Sequence, residues 1–175
     1  MADLRYPIGK YQSAGRDLTP DERRAHILTL SGAPEDFREA LRGLNDAQLD
    51  TPYRPGGWTV RQVMHHVADS HMNAYVRVKL ALTESAPTVK VYDEKLWAEL
   101  ADSRLPVEVS QILLDALHRR WVVLFDSLKP EDWRLTYIHP EFKEPMTIES
   151  VAPLYAWHSR HHLAHIVELR KRENW

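Results

Sequence analysis

The chain of 175 residues contains no cysteine. That absence excludes disulfides, thiolate metal sites and a cysteine nucleophile, and it fits a cytosolic protein. No stretch approaches the roughly 18 apolar residues that a membrane helix needs. The segment after Met1 is polar, so no signal peptide is expected. Charge of one sign is also scarce: 23 Lys and Arg oppose 25 Asp and Glu, for a net charge of −2. Without a basic stripe, neither nucleic acid nor an anionic membrane is an expected partner. The basic run Arg170-Lys171-Arg172 fits the last turn of a helix, where cations complement the dipole. Internal repeats, low-complexity segments, a phosphate loop and a dinucleotide fingerprint are all missing, and Gly56-Gly57 is only a turn signal. The zinc-protease pattern His-Glu-x-x-His is missing too, because Ser159 follows His158.

What remains is a helical pattern. The length fits one domain spanning 1–175. Residues 1–17 read as an extended arm, because Pro7 and Gly9 discourage a helix. Thr19-Pro20-Asp21-Glu22 starts a helix with an N-cap, a proline at the first helical position and acids in the first turn. It runs to about Ser31, pauses or kinks at Gly32-Ala33-Pro34, and continues to about Leu44. A loop follows over Thr51–Gly57. Thr59-Val60-Arg61-Gln62 forms a capping box that opens a helix to about Leu82. A shorter helix is expected over Asp93–Ala101, and another long one from Pro106 to about Leu128. Between Leu135 and Thr147, Tyr137, Ile138 and Phe142 around Pro140 suggest a short hairpin or irregular excursion. The last helix runs from about Ile148 to Arg172. Four long amphipathic helices imply an all-α four-helix bundle, with connections longer than a short-loop bundle needs.

Seven of the ten histidines fall in two clusters: His65, His66, His71 and His158, His161, His162, His165. The second cluster offers two His-x-x-x-His pairs, and residues four apart on a helix share a face. With His158 at zero on a helical wheel, Val151, Leu154, Tyr155, His162, His165 and Leu169 lie within about 60°. His158 and His162 are therefore near the centre of the apolar stripe, while His161 and His165 form a pair toward one flank. Each buried imidazole needs partners for two nitrogens, which makes His158 and His162 candidate ligands for zinc or nickel. On the helix from Thr59, periodicity nominates His71 as the inward histidine. It leaves His66 at the stripe edge and turns His65 away. Asp69, Glu149 and Glu168 are candidate carboxylate partners or bases. His26, His118 and His139 read as surface or structural, and the tryptophans as packing.

The run Trp58-Thr59-Val60-Arg61-Gln62-Val63-Met64-His65-His66-Val67-Ala68-Asp69, joined to His158-x-x-x-His162, resembles the DinB superfamily and within it the YfiT-like branch. Supporting stretches are Tyr6-Pro7-Ile8-Gly9, Leu49–Arg54, Ser70-His71-Met72-Asn73 and Tyr92-Asp93-Glu94-Lys95. The resemblance implies up-down-down-up connectivity and a homodimer. It also implies one divalent ion, zinc or nickel, on His66, His158 and His162, choosing His66 over His71. The activity it implies is that of a metal-dependent hydrolase or of an enzyme that activates a small thiol of the bacillithiol type.

An ion on three neutral imidazoles keeps its charge and its open positions, and lowers the pKa of a bound water or thiol. Since no general base is evident, the expected reaction is S-transfer of a low-molecular-weight thiol to an electrophilic substrate. Hydrolysis by metal-bound hydroxide is the first alternative. A non-catalytic metal-stabilised domain, closed by a fourth ligand such as His65, His71 or His161, is the second.

Overall fold

The computed structural model describes residues 3–142 and 144–175. Four long helices dominate: α1 (Pro20–Leu41), α3 (Val60–Thr83), α5 (Val107–Asp126) and α6 (Ile148–Glu173). Two single-turn helices, α2 (Asp46–Leu49) and α4 (Glu94–Trp97), lie in the connections. A two-residue antiparallel ladder pairs β1 (Thr136–Tyr137) with β2 (Met146–Thr147). The helix starts follow the expected chemistry: Thr19 and Thr59 each form a reciprocal capping box, with Glu22 and Gln62 respectively. The connection between the first two long helices contains one further turn, α2, just before the expected loop, capped by its own box of Asn45 and Gln48.

Residue pairs across the helix contacts give the directions. Arg23 meets Glu149 near the starts of α1 and α6, and Arg170 donates to the Ala40 carbonyl near their ends, so these two run parallel. His65 meets Ser110 and His71 meets His118, so α3 and α5 also run parallel. His71 meets His158 and His66 packs on His162, which makes α3 and α6 antiparallel. The connectivity is therefore up-down-down-up. Parallel neighbours need a connection that returns along the bundle, about 36 Å for α3 at 1.5 Å per residue. The segment 84–106 makes that return. It pairs with Ile138 through Pro87 and Val89, then forms α4 and a 3-10 turn at Ala101–Arg104.

Two expectations change here. The first helix does not pause at Gly32-Ala33-Pro34: α1 is continuous through Pro34 and stops at Leu41, before Gly43 at φ 76°. Proline removes a hydrogen bond to the carbonyl four residues back, and here His118 takes that Leu30 carbonyl instead. The helix expected over Asp93–Ala101 is only α4, followed by the 3-10 turn. The N-terminal arm meets α6 through Arg5, Tyr6 and Tyr11; Met1 and Ala2 of that arm fall outside the described residues, as does Lys143 of the irregular excursion.

The apolar core is in two parts. One end packs Ile27, Leu30, Val78, Trp121, Phe125, Trp133, Tyr137, Ile148 and Val151. The other packs Phe37, Leu41, Val60, Val63, Met64, Leu114 and Ile166. On α3 and α6, His71, His158 and His162 fall between the two parts, while His66 lies at the inner margin of the second part and His118 at that of the first. A layer of imidazoles thus interrupts the core at mid-height. No helix among the described residues is long and apolar enough to cross a membrane.

Candidate metal centre

His66, His158 and His162 come together between α3 and α6. One ligand-capable atom from each lies within 4.8 Å of the others. Ring centroids are 5.4 Å apart for His66–His158, 4.8 Å for His66–His162 and 4.4 Å for His158–His162. His158 and His162 stand one turn apart on α6, as the stripe required. His66 reaches them from α3 because that helix is covered on more than one side. Its buried residues run from Val60 and Arg61 through His65, His66 and Val67 to Ser70 and His71, so the stripe edge is also interior.

Electrostatics favour neutral lone-pair donors. Burial, reinforced by His161, pushes the His66 imidazole down to about 4. Burial also holds His158 and His162 well below the usual imidazole range, with His66 adding to the shift of His158 and His158 to that of His162. His66 and His162 are buried and His158 is partly exposed. Neutral imidazoles in this number and spacing suit zinc or nickel, so the residues fit the ion that the sequence implied. Trp58 covers the group, with its ring 4.5 Å from His66 and 6.4 Å from His162.

The other histidines have separate employment. His65 was expected to point away from the core, but it is only 6% exposed. Its Nε2–H donates to the Leu105 carbonyl at 3.0 Å, and its Nδ1 meets the Ser110 hydroxyl at 2.7 Å. The chain from Leu105 to α5 covers that side of α3, which periodicity of a single helix does not reveal. His71 is fully buried as periodicity predicts, yet it contacts His118 and His158 instead of joining the three. His118 is structural, as read, but deep in the core at 1% exposure; His139 is buried and His26 half-buried.

A second group, His161, His162 and His165, also holds ligand-capable atoms within 4.8 Å. The Nδ1 atoms of all three are buried without hydrogen-bond partners. His165 Nε2–H donates to the Arg5 carbonyl at 3.3 Å, and its ring stacks on Tyr53 at 3.9 Å. This group shares His162 with the first, and a neutral imidazole has one lone pair to give. Both groups therefore cannot be filled through His162 at once. Among the described residues, these two groups are the metal-compatible clusters, and both are histidine alone.

Of the candidate carboxylates, Glu149 is committed elsewhere. It is buried against Arg23 at 2.7 Å and accepts from Leu18 N–H at 3.2 Å, which ties the end of the arm to α6. Glu168 pairs with Lys171. Asp69 is half-buried on α3, and burial, with Asp102 adding, pushes its carboxyl up to about 6. Sequence reading did not anticipate the aromatic cover from Tyr53 and Tyr6. Tyr53 arrives by the turn at 54–57, where Gly56 is left-handed (φ 66°) and a Cβ on Gly57 would lie 2.7 Å from Arg54. The Pro-Gly-Gly signal marked the turn but not what it presents.

Comparison with known proteins gives the family and the fold. The sequence model of the DinB superfamily matches residues 29–166. A Bacillus cereus (strain B4264) protein provisionally named a metal-dependent hydrolase is 54% identical over 175 residues, covering all of both chains. A Bacillus mycoides (strain KBAB4) protein with the same provisional name is 53% identical over the same length. The solved structure of YfiT from Bacillus subtilis, described as a probable metal-dependent hydrolase with an unusual four-helix bundle topology, superimposes with a TM-score of 0.96. It has 46% sequence identity and covers 99% of each chain. With a matching family model over most of its length, relatives of this identity and the same bundle, the chain belongs to the DinB superfamily.

Proposed function

We propose that this protein is a metal-dependent enzyme that holds one zinc or nickel ion on His66, His158 and His162. In this reading it transfers a low-molecular-weight thiol of the bacillithiol type to an electrophilic small molecule. The observation that carries the reading is the composition of the ligand group: three neutral histidines and no carboxylate within ligand distance among the described residues. A bound divalent ion supplies Lewis acidity that lowers the pKa of a water or thiol beside it.

The chain's own residues supply the setting. Neutral imidazoles leave the ion's charge undiminished, which favours a bound thiolate or hydroxide alike, and thiol attack is preferred because it asks for no general base. The protein has no cysteine to act as nucleophile itself, so the attacking atom comes from a cofactor or from solvent. Trp58 shields the His66 and His162 faces. His65 and His71 already spend both ring nitrogens on other partners, which removes them as a fourth ligand and leaves His161, with its unpaired Nδ1, as the side chain of that set able to close the site.

The test is zinc-loaded protein with monochlorobimane and a low-molecular-weight thiol, run beside ester and amide substrates. Conjugation that needs both metal and thiol is the expected result, and turnover without thiol contradicts it.

Hydrolysis is the second reading, and Asp69 favours it. It lies three residues after His66 on α3, hence on a neighbouring face, with its carboxyl pushed up to about 6. A general base contributes roughly 10²–10⁴-fold. Under this reading ester turnover rises through about pH 6 as Asp69 ionises, and Asp69→Asn removes that limb. Under thiol transfer, bimane conjugation by Asp69→Asn stays within about tenfold of wild type, below what a base contributes.

A further inference from the structure

His71 and His118 are the deepest imidazoles in the bundle, at 0% and 1% exposure. Neither belongs to a group of ligand-capable atoms. They are joined end to end. His158 Nδ1 lies 3.1 Å from His71 Nε2, His71 Nδ1 lies 2.8 Å from His118 Nε2, and His118 Nδ1 lies 2.6 Å from the Leu30 carbonyl oxygen. We infer that His71 and His118 are positioning residues that fix His158 as its Nδ1–H tautomer, leaving its Nε2 lone pair as the one available to an ion.

The direction of the chain follows from its last atom. A carbonyl oxygen only accepts, so His118 must carry its proton on Nδ1. A neutral imidazole has one N–H, so His118 Nε2 is an acceptor, and His71 Nδ1 must donate to it. By the same step His71 Nε2 accepts, and His158 Nδ1 must donate. A protonated ring would break this logic, but the surroundings oppose it. Both rings are buried, and no carboxylate is among their hydrogen-bond partners. Trp121 stands edge-on to both rings and Tyr155 edge-on to His71.

The anchor is itself a sequence feature. In a regular helix the Leu30 carbonyl would accept from the N–H of residue 34. Residue 34 is a proline, which has none. Pro34 therefore frees the carbonyl on which the chain rests, and the apparent helix breaker lies within the support of the site. Hydrogen-bonded partners of this kind orient a metal-bound histidine and raise its basicity, and losing one typically costs about 10–100-fold in metal affinity.

The inference rests on His158 being a metal ligand, so the experiment has two parts. Long-range ¹H–¹⁵N correlation on the metal-free, selectively ¹⁵N-histidine-labelled protein near pH 7.5 reads the tautomers directly. The expected result is Nδ1–H for His71, His118 and His158, and an Nε2–H tautomer or a charged ring at any of them overturns the chain. Zinc affinity is then measured against a chromophoric chelator for wild type, His118→Phe and His71→Phe, with near-ultraviolet circular dichroism to establish folding. A loss of about 10–100-fold in a folded variant supports the role. A folded variant with wild-type affinity overturns it. If both variants fail to fold, the wild-type tautomers decide. A wild type that takes up no zinc sinks the metal reading itself, whatever the tautomers.

Discussion

The two flanks of the histidine layer are built differently although they share one helix. On the α5 side, His158 is held by an unbroken run of hydrogen bonds through His71 and His118 to the Leu30 carbonyl. On the side of the N-terminal arm, His161, His162 and His165 crowd together with ring centroids 4.3–5.3 Å apart, and each leaves a buried Nδ1 unpaired. An unpaired buried polar atom costs about 1–3 kcal/mol. One flank is thus ordered by its own bonds, while the other leaves three buried nitrogens unpaired. The difference indicates that ring depth and metal ligation are separate properties. The deepest histidine, His71, lies outside the three-histidine group proposed to hold the ion.

The largest expected effect bears on both flanks at once. Burial holds His66 and His165 down to about 4 in the folded chain, against an ordinary imidazole value of about 6.5. Between those values the unfolded chain binds protons that the folded chain does not, so stability is full above about pH 6.5 and falls as pH drops toward about 4. Each such group costs about 1.4 kcal/mol per pH unit in that window, and no more below it. Denaturant titrations of metal-free protein at several pH values measure this slope. A flat profile from pH 7 to 4.5 would break the picture of neutral buried imidazoles.

Ligand removal comes next and should erase the contrast between the flanks. His158→Ala and His162→Ala are each expected to lower zinc affinity by more than about 100-fold, beyond the cost of losing a ligand's hydrogen-bond partner. Chelator competition reads both, and a variant that binds like wild type removes that residue from the ligand set. The smallest effect sharpens the contrast. His165→Phe keeps the stack on Tyr53 and deletes an unpaired nitrogen, so zinc affinity should change by less than tenfold, about 1.4 kcal/mol. A loss as large as that expected for His118→Phe would mean that the arm-side histidines also support the ion.

How much of this was legible in the sequence depended on whether one helix or several decide the outcome. The N-cap at Thr19, the capping box at Thr59 and the stripe carrying His158 and His162 are properties of single helices, and they hold in the fold. His66 needed the resemblance, because its place at the stripe edge becomes interior only when α6 packs beside α3. His65 was misread for the same reason: Ser110 and Leu105 cover it from elsewhere in the chain. Pro34 read as a pause because the donor that replaces its missing N–H lies 84 positions further along, on His118. Local rules do not see such partners.

The most direct test of the three-histidine site is X-ray absorption at the zinc edge, on protein loaded with one equivalent of zinc and checked by metal analysis for stoichiometry. The expected spectrum has three imidazole nitrogens at about 2.0–2.1 Å with the remaining position filled by an oxygen from solvent, or by a sulfur at about 2.3 Å when thiol is added, and His158→Ala reduces the imidazoles to two. Four imidazoles, or a wild-type chain that retains no stoichiometric ion, would contradict it.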